Sequence, residues 1–139
     1  MTAADTAIPY ETLDALVIED DAFQRSLIVQ ALKVIGLASV REAGDGEAGL
    51  KACMARLPDI IVCDIEMTPM GGLDFLRALR RTRSDAVRSI PIVFLSSHAE
   101  SDTVREAIAA GVDAFIVKPP TLKSLKSRID AVLGAARLR

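Results

Sequence analysis

Ile60-Ile61-Val62-Cys63-Asp64 is an apolar run rich in β-branched residues that stops on an acid. It is too short for a helix and Pro58 precedes it, so it reads as a buried strand. Working outward, three other runs have the same build. Leu16-Val17-Ile18 leads into Glu19-Asp20-Asp21, Ile92-Val93-Phe94-Leu95 into Ser96-Ser97, and Phe115-Ile116-Val117 into Lys118 and two prolines. One such ending is common in α/β proteins. An acidic pair, a lone acid, a hydroxyl and a lysine, in that order, are hard to reach by chance.

Helical periods alternate with these strands. Phe23, Leu27, Ala31 and Ile35 recur at helical spacing, and Gly36 stops that helix. Ser39 to Ala43 reads as a short strand, and Asp45 caps a helix that Pro58 closes. The turn Pro69-Met70-Gly71-Gly72 leads to a helix over Leu73, Leu76 and Leu79. Arg80 to Ser89 is polar and reads as a loop, and Pro91 opens the next strand. Thr103 and Glu106 have capping-box spacing for a helix ending at Gly111. Thr121 caps a last helix with Leu122, Leu125, Ile129, Val132 and Leu133 on one face.

Five strands alternating with five helices predict a doubly wound parallel sheet covered on both faces. Right-handed crossovers put all the strand C-termini on one edge, where such sheets build their sites. Glu19, Asp20, Asp64, Ser96 and Lys118 therefore converge there.

Composition fits. Half of the 139 residues are apolar, the net charge is −2, and aromatics are four Phe, one Tyr and no Trp. That is the balance of a soluble globular domain with an aliphatic core, and it lacks the basic excess of a nucleic-acid binder. No apolar stretch is long enough to span a membrane. Cys53 and Cys63 have no further partners and read as reduced, buried thiols, as expected of a cytoplasmic protein. Residues 1–12 read as a flexible N-terminal tail without a signal peptide, and 13–139 as one domain.

The cluster has its own chemistry. Three carboxylates bring about −3 and Lys118 about +1, so a hard dication with oxygen ligands, Mg²⁺ or Mn²⁺, is the natural complement. Asp64, alone at its strand end, is the nucleophile candidate, since carboxylates attack phosphorus to form acyl phosphates. Lys118 would neutralise charge on the transferring group and Ser96 would donate a hydrogen bond to it.

These residues, Val17-Ile18-Glu19-Asp20-Asp21, Asp64-Ile65-Glu66-Met67, Met70-Gly71-Gly72, Ser96-Ser97 and Lys118-Pro119, resemble the receiver domain of bacterial two-component response regulators, in its single-domain, chemotaxis-regulator-like form. The resemblance covers Leu13 to the end. It implies a flavodoxin-like strand order, 2-1-3-4-5. Asp64 matches the phosphoacceptor and Asp20 the direct metal ligand. Glu19 matches a ligand through water, Glu66 a backbone-carbonyl ligand, Ser96 the switch hydroxyl and Lys118 the phosphate-binding lysine. Phe115 falls at the rotating aromatic. The implied phosphodonor is a histidine kinase or histidine phosphotransfer protein. The implied output is an altered affinity for a protein target through the helix after the fourth strand, the fifth strand and the last helix.

Three departures stand out. Thr68 displaces the usual proline to Pro69, which predicts a reshaped turn with the site kept. Pro120 replaces a bulky apolar residue and stiffens the start of the last helix, and Phe115 lacks the hydroxyl of the commoner tyrosine.

Other residues have bland readings beside sharper ones. Glu66 either points to solvent or tunes phosphate lifetime near Lys118. His98 is either a rim imidazole or a shield over the acyl phosphate. Arg77, Arg80, Arg81, Arg83 and Arg88 are either a solvated loop or a dock for an acidic partner. No recognition helix is spare for DNA. With no second domain in view, output is expected through protein contact, as a monomer or a phosphorylation-dependent dimer. Enzymatic activity is expected only as Mg²⁺-dependent self-phosphorylation and self-dephosphorylation. A relay or phosphate sink is the alternative. A haloacid-dehalogenase-type phosphatase would want a second Asp at position 66 and a late acidic motif, and a flavin carrier would want a phosphate loop where Glu19-Asp20-Asp21 stands.

Overall fold

Short β-branched runs buried on both faces can only sit inside a parallel sheet with helices over each side, and that is what the chain forms. A computed structural model describes residues 8–97 and 102–137. The strands are β1 (Asp14–Ile18), β2 (Ser39–Ala43), β3 (Ile60–Asp64), β4 (Ile92–Ser96) and β5 (Ala114–Val117). All pair in parallel, in the order β2-β1-β3-β4-β5. The helices are α1 (Ala22–Ile35), α2 (Gly46–Ala55), α3 (Gly72–Arg80), α4 (Asp85–Arg88), α5 (Asp102–Ala109) and α6 (Leu122–Arg137). No helix among the described residues is long and apolar enough to cross a membrane.

Strand alternation divides the core in two. Ala15, Val17, Ile60, Val62, Val93, Leu95 and Ile116 pack against α1 and α6, through Ile28, Val29, Leu32, Leu125, Ile129, Val132 and Leu133. Leu16, Ile18, Ile61, Cys63, Ile92 and Phe94 pack on the other side, against α2, α3, α4 and α5. β3 and β4 are buried along their whole length. Both cysteines are free and buried, as read from the sequence.

The helix ends follow the sequence signals closely. Asp45 Oδ1 accepts from Ala48 N–H at 2.8 Å, and Gly36 closes α1 at φ 113°, where a side chain would be strained. At α6, Ser124 N–H donates to Thr121 Oγ1 at 2.9 Å while Thr121 N–H donates to Ser124 Oγ at 2.8 Å, a reciprocal cap.

Several expectations need correction. The inward stripe of α1 is Ile28, Val29 and Leu32, whereas Phe23 is 72% exposed and Leu27 50%. α1 is apolar on more than one side, so helical spacing alone fits either stripe. Leu122 likewise stands exposed while the rest of its predicted face is buried. Thr103 is the second residue of α5 and not its cap. Within the presumed basic loop, Ser84 Oγ accepts from Val87 N–H and starts the extra helical turn α4.

The basic stretch is mostly internal bracing. Arg80 donates to the carbonyls of Arg88, Ile90 and Gly111 and to Asp113 Oδ2 at 2.9 Å. Arg77 pairs with Glu106, and Arg88 with Asp85. The folded body also begins before residue 13. Tyr10–Thr12 form a 3-10 turn, Ile8 and Tyr10 pack on the α1/α6 core, and the Tyr10 hydroxyl donates to Asp130 of α6.

Candidate functional site

At the C-terminal edge of the sheet, the ends of β1, β3, β4 and β5 follow one another, because β3 pairs β1 on one side and β4 on the other, and β4 pairs β5. Glu19, Asp64 and Lys118 each continue the alternation that faces α1 and α6. Ser96 continues the opposite one, with Phe94. The edge thus holds its charges on one side and its hydroxyl on the other.

Distances bear this out. Lys118 Nζ stands 3.0 Å from Asp64 Oδ1 and 3.8 Å from Glu19 Oε2. Asp64 Oδ1 also accepts from Glu66 N–H at 3.2 Å. Carboxylate oxygens of Glu19, Asp20 and Asp64 all lie within 4.8 Å of one another. Glu19 and Asp64 are 1% and 3% exposed, while Asp20 faces solvent.

One oxygen of this cluster is unsatisfied. Glu19 Oε1 accepts from Asp21 N–H at 3.2 Å, but the buried Oε2 accepts no hydrogen bond. Burial, and after it the Asp64 carboxylate, push the Glu19 carboxyl up to about 7, although Asp21 N–H and Lys118 pull the other way. An orphaned buried oxygen among three oxygen donors fits a hard divalent cation.

The surroundings hold the acids in place. Arg25 of α1 donates through Nη1 to the Glu19 carbonyl at 2.8 Å and through Nε to Glu42 of β2 at 3.1 Å. The β3–α3 loop folds back on the acceptor strand, with Gly72 N–H donating to Ile65 O at 3.0 Å. A Cβ at Gly72 would stand 2.6 Å from the Asp64 carbonyl oxygen, so only glycine permits this return. The Thr68–Pro69 and Lys118–Pro119 peptides are both cis. The displaced proline leaves Gly46 N–H donating to Met70 O at 3.3 Å, so loop and α2 stay joined.

The other candidates fall as follows. Ser96 is buried, and its carbonyl accepts from Lys118 N–H at 2.8 Å. Phe115 is half-buried against the same cluster as Phe94. Glu66 is exposed, and Lys118 pairs with Asp64 and Glu19 instead of with it. Pro120 is half-buried and lines a groove of 360 Å³ with Leu27, Ile28, Ala31, Pro119 and Leu125. His98 lies outside the described residues. Sequence reasoning missed Arg25 and the steric role of Gly72. Arg25 acts on a backbone carbonyl and on Glu42, 17 positions away, and no local pattern marks it.

The family model described as "Response regulator receiver domain" matches residues 15–130. This chain belongs to that family. The chain is 28% identical over 127 residues to a probable chemotaxis protein CheY of Rhizobium etli, covering 91% of this chain and 97% of that protein. It is 32% identical over 117 residues to the chemotaxis protein CheY of Pseudomonas aeruginosa, covering 84% and 93%. Among solved structures, CheY4 of Vibrio cholerae superposes with a TM-score of 0.79 at 25% identity, covering 87% of this chain and 98% of that one. The receiver fold and strand order expected from the sequence are therefore the ones found.

Proposed function

We propose that this receiver domain is a phosphorylation-controlled switch whose acceptor is Asp64. The observation that carries the reading is the ammonium of Lys118 at 3.0 Å from a nearly buried Asp64, beside an acidic pair with an unsatisfied oxygen. An Asp64 carboxylate oxygen forms a bond to phosphorus as the bond from phosphorus to a donor histidine nitrogen breaks, leaving an acyl phosphate. A histidine kinase or histidine phosphotransfer protein is the donor class.

Asp20, Asp64 and the Glu66 carbonyl would hold Mg²⁺ or Mn²⁺, with Glu19 acting through water. Bound there, the cation would neutralise charge on the phosphoryl oxygens. The chain's own residues do the rest. Lys118 meets a phosphoryl oxygen with a charge-assisted hydrogen bond, and Glu66 N–H steadies the acceptor. Ser96 donates to the new dianion and Phe115, on the same sheet face, follows inward. The shift is bounded by how differently phosphate interacts with the two states. Ile108, Val117 and Leu122 stand exposed on α5, β5 and the start of α6, which supports those elements as the target surface.

The test is direct. Wild type and Asp64→Asn are incubated with Mg²⁺ and acetyl phosphate and weighed intact. One added phosphoryl group on wild type alone is expected. An unmodified wild type, or equal labelling of both proteins, overturns the reading.

A further inference from the structure

The acceptor lysine has a third partner. Lys118 Nζ donates to Gln24 Oε1 at 3.3 Å, across 94 positions of sequence. We infer that Gln24 is a positioning residue that holds the Lys118 ammonium in place for the phosphoryl group. The inference rests on the switch reading of Asp64.

Lysine is a compact charge on a flexible four-carbon stem, so its place depends on what its three N–H donors meet. Two of its neighbours here, Asp64 and Glu19, are carboxylates of the acidic cluster. With only those, the ammonium would settle between the acids and screen the nucleophile it should assist. Gln24 Oε1 supplies a neutral acceptor from α1. It draws one N–H away from the acids without adding charge.

The backbone of Gln24 is itself fixed. Its N–H donates to Asp21 Oδ1 at 2.9 Å, which caps α1 directly after the metal-ligand candidate Asp20. The turn that presents Asp20 therefore also presents the lysine's anchor. The sheet explains why α1 can reach: Lys118 shares the α1-facing alternation with Asp64 and Glu19. Gln24 also lines, with Lys118 itself, the groove of Leu27, Pro119 and Pro120, so anchor and lysine share one wall.

Gln24 is exposed, so Gln24→Leu should fold normally, which an unchanged melting midpoint checks. Phosphorylation by acetyl phosphate at saturating Mg²⁺ is followed for wild type, Gln24→Leu, Lys118→Ala and the double variant. Losing one hydrogen bond to a partly exposed cation should slow Gln24→Leu about fivefold. In the Lys118→Ala background the same change should do nothing, because the partner is gone. No slowing with Lys118 present, or equal slowing without it, overturns the inference.

A second readout does not need turnover. Limited acetylation of lysines is compared by mass spectrometry in wild type and Gln24→Leu. Lys118 alone should react faster in the variant, and equal labelling overturns the inference. A wild type that takes no phosphoryl group would sink the switch reading, while this labelling would still decide the role of Gln24.

Discussion

At the N-terminal edge of the sheet, Arg80 donates to three carbonyls and to Asp113, whose Oδ2 also accepts from Ile92 N–H. On the same edge, at the start of β1, Asp14 is ion-paired with Arg41 at 3.0 Å and Arg56 at 3.3 Å, although its buried Oδ1 accepts no hydrogen bond. At the C-terminal edge, three carboxylates cluster around one lysine that pairs with only two of them, and a buried oxygen of Glu19 goes unbonded. Both edges belong to one sheet, and both set carboxylates against cationic side chains. Charges that close the fold come matched, each of these acids with at least one arginine. Charges kept for a ligand come in excess, and their imbalance is the mark of the site.

The largest effect should come where fold and site meet. Gly72→Ala forces a methyl against the Asp64 carbonyl and should lower stability by roughly 3 kcal/mol. Because the clash lies on the acceptor strand, the variant should also lose phosphorylation. Urea unfolding and intact mass measure the two, and a stable variant that still takes the phosphoryl group would show that the loop is not held as described.

Next is the matched edge. Arg80→Ala strands a mostly buried Asp113 and three carbonyls, and should cost about 2 kcal/mol. Its Mg²⁺ affinity should stay that of wild type, measured by calorimetry. A weakened Mg²⁺ site would mean the two edges are not independent.

The last effect needs no substitution and is a slope with pH. The Glu19 carboxyl is raised from its ordinary 4.5 to about 7 in the folded protein, so folding takes up a proton between those values. The associated stabilisation is full below about 4.5 and is lost as pH rises through about 7. Metal-free protein should thus lose stability across that window, and saturating Mg²⁺ should flatten the slope by favouring the ionised carboxylate. Melting curves with and without Mg²⁺ test this. A flat metal-free profile would remove the imbalance argument.

Much of this molecule was legible in its sequence, for a physical reason. Strands buried on both faces leave short apolar runs with abrupt polar ends, and those ends are the site. Asp45, Gly36 and Thr121 announce helix ends because capping chemistry is local. The face of α1 was not legible, since Phe23 and Leu27 mimic the spacing of a core stripe while Ile28, Val29 and Leu32 occupy it. The bracing of Arg80 and the anchoring of Lys118 by Gln24 were also hidden. Each depends on partners that only the fold brings near.

Tyr10 is the chain's one tyrosine and there is no tryptophan. Its ring lies under Lys126, 5.5 Å from the ammonium, and its hydroxyl is bonded to Asp130. Ultraviolet emission beyond that of phenylalanine therefore comes from a single place, the junction of the N-terminal turn with α6. The protein carries a built-in optical reporter of its last helix, and a spectral change on phosphorylation would record motion there and not at Asp64.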